Sequence, residues 1–390
     1  MTNRAPKIIS EACKKTGINM LRAMISVMLL AGAIGSGYPA NAASPNTAAV
    51  AVNRGVIQME TGAADGISIR MAAEIGRIID DGATRRVIPI IGRGPLQNLI
   101  DLKYLRGIDL AIIQVDALDY ARQQKLLSGL DSLTYVAKLH NEEFHLLARA
   151  DIRAASDLSG QRVNVDLTDS STAFTAARLF ELLQIKPQIE KNSQQVALEK
   201  LRKGEIAAVA FVTAKPTTIF QTLRPSDHFH FLNIPLTPAI SAIYAPGTLT
   251  AVDYPNLVPP DQPIETIAVG NVLMAADLHM LPERDRNLRT FVDTLYSGFQ
   301  TLSGPGYDPK WRDINIAADI PGWTRNASAT AWLRNNPQIA AAPDADTMKD
   351  LFSRFIDEHR QATGGSGVMS ASEKNALFQQ FETWQRGQSH

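Results

Sequence analysis

Along residues 56–115 the apolar positions switch period repeatedly. Val56 to Met59 is a short apolar run that reads as a strand, and Thr61-Gly62-Ala63-Ala64-Asp65-Gly66 breaks it with turn formers. Ile67, Met71, Ile75, Ile78 and Ile79 then recur at helical spacing. Val87 to Ile91 is a second strand, Gly92-Arg93-Gly94-Pro95 a turn, and Leu96, Leu99, Ile100 and Leu102 start a second helix. Ile108 to Val115 is a third strand. Strand and helix alternating at this spacing predict a parallel sheet with crossover helices.

The pattern restarts further on. Tyr135 to Leu139 and Phe144 to Ala148 are two apolar runs, and Arg162 to Val165 opens a new unit. Helices are predicted over Ala173 to Leu183 and Val196 to Leu201, with a buried strand over Ile206 to Val212. Prolines 225, 235, 238, 246, 255, 259 and 260 mark a long connection, after which Thr266 to Met274 is a strand again. Leu288, Phe291, Val292, Leu295 and Phe299 form an amphipathic helix, and a segment bearing Trp311, Trp323 and Trp332 packs back on the first unit. From Ala345 the tail reads as helical: Met348 to Ile356, a Gly-rich linker, then Ser372 to Trp384.

Composition narrows the class. The 390 residues are 45% apolar and 20% charged, as in a globular protein, and 39 basic residues balance 39 acidic ones. Neither the charge nor any basic run interleaved with aromatics points to nucleic acid. One cysteine excludes a disulfide framework and a thiolate metal cluster. His140 with His145, and His228 with His230, lack an accompanying carboxylate set for a metal, and no cofactor is implied.

The first 42 residues have the form of a secretory signal. Lys7, Lys14, Lys15 and Arg22 precede the apolar run Ala23 to Ile34, and Ala40-Asn41-Ala42 supplies the cleavage pattern. An uncleaved N-terminal anchor is the alternative. Removing residues 1–42 takes out five basic residues and one acid, leaving 34 against 38, a net charge of −4. A periplasmic location follows, with signal cleavage near Ala42.

Two α/β units with a late returning strand imply two lobes, a hinge of two crossing segments and a cleft between them. Open α/β sheets bind ligands beyond the carboxyl ends of their strands, where helix N-termini favour anions. A small carboxylate suits such a cleft. The chain also lacks the G-x-S-x-G, H-E-x-x-H and G-x-x-x-x-G-K-[ST] runs of common hydrolases and nucleotide binders.

Six segments together resemble a known family. Thr61 to Gly66, Gly92-Arg93-Gly94-Pro95-Leu96-Gln97-Asn98 and Asp109 to Asp116 are similar to the first lobe of TAXI-type solute-binding proteins of TRAP transporters. Asp157-Leu158-Ser159-Gly160-Gln161-Arg162-Val163, Lys203-Gly204-Glu205-Ile206 with Ala207 to Val212, and Glu265 to Gly270 are similar to the second lobe and the return crossover. The match runs from about Gly55 to Arg334. Departures fall in the loops: Ala63-Ala64 replaces Gly and Thr, Arg93 and Pro95 replace small and hydroxyl residues, Asp169-Ser170-Ser171-Thr172 replaces a Ser-Gly-Thr loop, and Lys215 stands where Gly is frequent.

The resemblance implies an α/β, two-lobe periplasmic-binding-protein (type II-like) fold, each lobe a mainly parallel sheet with flanking helices. The implied division is lobe I at 43–150 plus 262–344 and lobe II at 151–261, with the tail at 345–390. It implies a non-enzyme that captures a small organic anion, such as a dicarboxylate or amino acid, and hands it to TRAP-type permease subunits. The membrane is then reached only through the permease. A ligand sensor feeding a membrane signalling protein is the alternative, and an exported hydrolase using Ser170 or Ser171 a remoter one.

The candidate ligand residues are Thr61, Gly62, Arg93, Gln114, Ser170, Ser171, Thr172 and Lys215. Arg93 can hold a carboxylate bidentately or be a solvated loop arginine. Thr61 and Gly62 offer a hydroxyl and a close backbone, or form a plain turn. Of Ser170, Ser171 and Thr172, one is an N-cap and the others are open to ligand oxygen. Lys215 can supply a point charge or be solvated. In the resemblance Gln114 and Asp116 face the cleft, Asp116 bracing a loop rather than touching an anion. Asn98 is read as structural, and Glu142 with Glu143 as exposed charge.

Overall fold

The computed structural model describes residues 54–64 and 66–337. The expected signal at 1–42, the leader at 43–53 and the tail at 345–390 lie outside the described residues.

The first half alternates β1 (Val56–Thr61), α1 (Ile67–Ile79), β2 (Arg86–Ile91), α2 (Pro95–Tyr104), β3 (Leu110–Gln114) and α3 (Val115–Gln123). A long strand, β4 (Thr134–Arg149), leads to β5 (Arg162–Asn164), α4 (Ser171–Leu182), β6 (Gln188–Glu190), α5 (Gln194–Arg202) and β7 (Ala208–Thr213). Short strands β8 (Phe229–Phe231) and β9 (Ala245–Leu249) follow, then the second long strand β10 (Ile264–Ala275), α6 (Pro282–Leu302) and α7 (Ala327–Asn335). The two apolar runs expected in residues 135–148 are one strand, and the proline-rich connection contains β8 and β9.

These strands make one sheet in the order β2-β1-β3-β10-β4-β7-β5-β6, with β8 on β4 and β9 on β10. The outer trios β2-β1-β3 and β7-β5-β6 are parallel inside. Every pairing of β4 and β10 with another strand is antiparallel. β3 reads Leu-Ala-Ile-Ile-Gln and is buried throughout, as a central strand covered on both faces should be.

Helices cover both faces of each half. In the first half Met71, Ile75 and Ile79 of α1 pack with Phe291, Val292 and Leu295 of α6 over one face. Leu99 of α2 and Leu118 of α3 cover the other. In the second half Leu179 and Phe180 of α4 join Phe144 and Leu146, and Leu198 of α5 packs opposite with Leu147, Phe220 and Tyr254. Burying one such side chain contributes about 1.5–3 kcal/mol. The Trp segment packs on the first half as expected. Trp311 is 1% exposed, and its Nε1 donates to Glu74 at 2.6 Å. Among the described residues no helix is long and apolar enough to cross a membrane.

Candidate functional site

Among the described residues only β4 and β10 run through both halves, and between the halves they are bare. β3 leaves β10 at Asn271, the partner of Gln114, and β9 joins it at Ala268, the partner of Ala245. Val269 and Gly270 therefore lack a strand neighbour on that side. Beyond β4, β7 stops at Glu143, the partner of Thr213. A β-bulge lies in this bare ribbon: Gly270 pairs with Asn141 but Val272 pairs with Lys138. The extra residue on β4 re-aims the neighbouring side chains.

On one face the bulge gathers His140, Glu142, Asn271 and Gln114. Glu142 Oε2 accepts from Asn271 Nδ2 at 3.0 Å and from Gln114 Nε2 at 3.3 Å. Burial pushes this carboxyl up to about 7, against the pull of those two hydrogen bonds. Burial, with Lys310 and Arg70 adding to it, pushes His140 down to about 3, so its ring is neutral at pH 7. Asn271 Nδ2 donates to His140 Nε2 at 3.4 Å, which assigns the ring proton to Nδ1. That Nδ1 and the Gln114 Oε1 are buried without a partner. One free donor and one free acceptor thus stand on the floor between the halves. The reading of Glu142 and Glu143 as exposed charge is corrected: they are 8% and 6% exposed, because β4 continues through them. Glu143 instead pairs with Lys310 at 3.2 Å.

On the other face the side chains of Asn141, Val115 and Lys138 close over Gly270. A Cβ at Gly270 would lie 3.3 Å from Asn141 Oδ1 and from Val115 Cγ2, and 3.5 Å from Lys138 Cε.

The loops of the two halves meet above the ribbon. Gly94 has φ +147°, and a Cβ there would lie 1.7 Å from the Asp169 carbonyl oxygen. The N-terminus of α2 thus abuts the loop before α4. Beside this contact α3 docks on α4. Asp116 Oδ2 accepts from Thr175 Oγ1 at 2.7 Å and from the Tyr244 hydroxyl at 3.1 Å. Arg178 reaches Asp119 at 3.5 Å, and Tyr120 stacks edge-on with Phe174 at 5.6 Å between centroids. A cavity of about 570 Å³ opens between α2 and α4, lined by Leu96, Ile100, Val165, Phe174, Ile189 and Lys191 among others.

The sequence candidates fall into two groups. Several are engaged inside their own half. Thr61 Oγ1 donates to the Ile90 carbonyl at 3.0 Å, and Thr61 O accepts from Asn98 Nδ2 at 2.8 Å. Ser170 is the N-cap of α4, accepting from Ala173 N–H at 3.1 Å. Thr172 Oγ1 accepts from Val212 N–H at 3.0 Å. Lys215 Nζ pairs with Asp253 at 3.1 Å and donates to the Thr248 carbonyl. Others keep free groups. Gly62 is half-buried at the end of β1, and Ser171 opens α4. Gln114 keeps its Oε1. Arg93 is exposed, and its charge pulls down the pKa of buried Glu60, which burial and Asp101 push up to about 7. Sequence reasoning missed Lys138, His140, Asn141, Glu142 and Asn271. The available signal was four consecutive polar positions, His140 to Glu143, set between two apolar runs of one strand.

The model of the NMT1-like family matches residues 59–283. No curated protein matches the chain. Among solved structures, the alkanesulfonate-binding protein SsuA from Xanthomonas axonopodis pv. citri, bound to MOPS, is 15% identical with a TM-score of 0.38, covering 66% of this chain and 82% of that one. The periplasmic binding protein BugD is 12% identical with a TM-score of 0.42, covering 73% and 95%. A TctC solute-binding protein from Polaromonas is 12% identical with a TM-score of 0.37, covering 73% and 96%. The crossing strands β4 and β10, with a helix-covered half on either side, make this the two-lobe, type II-like periplasmic-binding-protein fold expected from the sequence. The family match spans more than half of the 390 residues and takes in both halves of the sheet, and the chain belongs to the NMT1-like family.

Proposed function

We propose that this protein is an exported solute-binding protein that captures a small organic anion, a carboxylate, between its lobes and delivers it to a TRAP-type membrane permease. The observation that carries the reading is the bare ribbon of β4 and β10, with unpartnered polar atoms on its floor and interlobe contacts above it. Such a ribbon can bend without breaking a strand pairing, and closure over a ligand then shifts the hinge equilibrium. The lobes divide near the expected bounds of 150 and 262, with the changeover moved to the bare ribbon inside residues 139–143 and 268–271. Arg93, Gly62, Gln114 and Ser171 contact the ligand, and Thr61, Ser170, Thr172 and Lys215 shape the walls around it. The TRAP partnership and the periplasmic location rest on the resemblance of the six sequence segments and on the signal pattern of residues 1–42.

A thermal-shift screen with small carboxylates tests the reading, because a ligand that binds only the native state raises the melting temperature. Stabilisation by at least one carboxylate is expected. Stabilisation by neutral or cationic solutes alone would overturn the anion assignment.

A further inference from the structure

The cavity of about 570 Å³ between α2 and α4 has walls from both lobes. Leu96 and Ile100 of α2 form one side, and Val165, Phe174 and Ile189 of the second lobe form the other. Leu96 and Ile100 are one helical turn apart and so share a face. The room exists because α4 brings only Ala173 and Ala177, also one turn apart, to the same space. Ile100 is 38% exposed and Ile189 45%, so a large apolar side chain from each lobe stands open on the cavity. Small-molecule sites have this form: roughly 300–1,000 Å³, mostly apolar walls, and a few polar groups that fix orientation.

Among the described residues the cavity has three polar lining residues, Gln97, Asp169 and Lys191. Gln97 is engaged within its own helix, its Nε2 donating to Asp101 at 2.7 Å. Lys191 follows β6, is exposed, and forms no ion pair among the described residues. Asp169 lies in the loop whose carbonyl meets Gly94. Two of the ligand candidates flank the lining: Arg93 stands two residues before Pro95, and Ser171 two before Ala173. One carboxylate at this rim has Lys191 and Arg93 to meet it. A second carboxylate, carried deeper, faces apolar side chains or the acid Asp169. Burying a charge without a partner is unfavourable, whereas burying a methylene is favourable.

We propose that this cavity takes the apolar body of the solute, so that the captured anion is a monocarboxylate bearing an alkyl chain or an aromatic ring rather than a dicarboxylate. This deepens the anion-binding reading and rests on it. Lys191 and Arg93 hold the carboxylate at the rim, and Leu96, Ile100, Phe174 and Ile189 enclose the body. Because the walls come from both lobes, a body that fills the cavity favours the closed form.

The test is calorimetric titration of the mature chain with sodium acetate, butyrate, hexanoate, phenylacetate and succinate, and with neutral phenylacetamide. Affinity should rise about threefold or more with each methylene added from acetate to hexanoate. Hexanoate and phenylacetate should both bind more tightly than succinate. Ile100→Gln and Ile189→Gln change exposed positions, so the unliganded melting temperature should hold while hexanoate affinity falls at least threefold. Ala177→Trp, also at an exposed position, should fill the cavity and abolish binding of hexanoate and phenylacetate. A flat series, tighter binding of succinate, or affinities unmoved by Ile100→Gln and Ala177→Trp would overturn the cavity assignment and leave the anion reading standing. Equal affinity for phenylacetamide and phenylacetate would overturn the carboxylate in both readings. Failure of hexanoate and phenylacetate to bind would overturn the proposal, and the anion reading then stands or falls with succinate.

Discussion

Asp116 of the first half accepts a 2.7 Å hydrogen bond from Thr175 of the second. The two residues are 59 positions apart, on α3 and α4, and the carboxylate oxygen they share also takes the Tyr244 hydroxyl. Hydrogen bonds to a charged group contribute about 1.5–3 kcal/mol each. Asp116→Ala should therefore shift the equilibrium between apposed and parted lobes by at least about tenfold, since ~1.4 kcal/mol is tenfold. Small-angle scattering of the ligand-free variant should give a larger radius of gyration than the wild type. Identical profiles would mean that α3 and α4 are held by the Tyr120–Phe174 contact and the Arg178–Asp119 pair instead.

Much of the arrangement was legible because strand ends and helix starts carry local signals. The Gly-rich breaks after β1 and β2 and the Ser170 cap of α4 are written in a few adjacent residues. What failed to show depends on residues far apart in sequence. Lys215 reads as a free cation until Asp253, 38 positions later, is folded beside it. β8 and β9 sit among prolines, and only their pairing with β4 and β10 makes them strands. The floor of the cleft was obscured for a different reason. His140 to Glu143 is too polar for a buried strand and splits the sequence of β4 into two apolar runs. A bulge and the partners Asn271, Gln114 and Lys310 allow it to continue instead.

Gly94 makes closure possible. A methyl group there would overlap the Asp169 carbonyl oxygen, and φ +147° is a conformation that L side chains rarely adopt. Gly94→Ala should hold the two loops apart and weaken capture of any solute that needs the apposed lobes by more than tenfold. The cores on either side should keep their structure, because the overlap falls on the backbone of a loop. Calorimetric titration together with far-ultraviolet circular dichroism checks both parts, and unchanged affinity would show that the contact plays no part in closure.

Arg93 lies exposed in the loop that ends with Gly94. Arg93→Ala should lower carboxylate affinity by about tenfold or more through the loss of one charge-assisted hydrogen bond. Stability should change by no more than about 0.5 kcal/mol, as for other exposed positions. Denaturant unfolding and titration of the same preparation separate the two effects. Equal affinities would remove Arg93 from the site.

The buried acids and histidines set opposite pH dependences. Glu142 and Glu60 are each pushed up to about 7 and Asp116 to about 6, chiefly by burial. For an acid whose pKa is raised on folding, the native state binds more protons than the unfolded one between the two pKa values, so stability falls as pH rises through that window. For Glu142 and Glu60 the window runs from the ordinary 4.5 to about 7. His140 and His145 are pushed down to about 3 and about 4 by burial, from an ordinary 6.5. There the unfolded state binds the extra proton, so stability falls as pH drops below 6.5. Above about 7 neither set titrates further, and between about 7 and 6.5 only the acids act, so acidification first stabilises the protein. Below that the histidines oppose the acids, and below the ordinary 3.8 of Asp116 the histidine loss is left alone. Maximum stability should therefore lie on the acid side of neutrality. Glu142→Gln keeps an oxygen for Asn271 and Gln114 but removes the titration. It should raise the melting temperature at pH 8 and have little effect at pH 5. Melting curves of wild type and variant across pH 4–9 check this, and a variant less stable than the wild type at pH 8 would show that the Glu142 carboxylate is stabilised by its neighbours more than burial disfavours it.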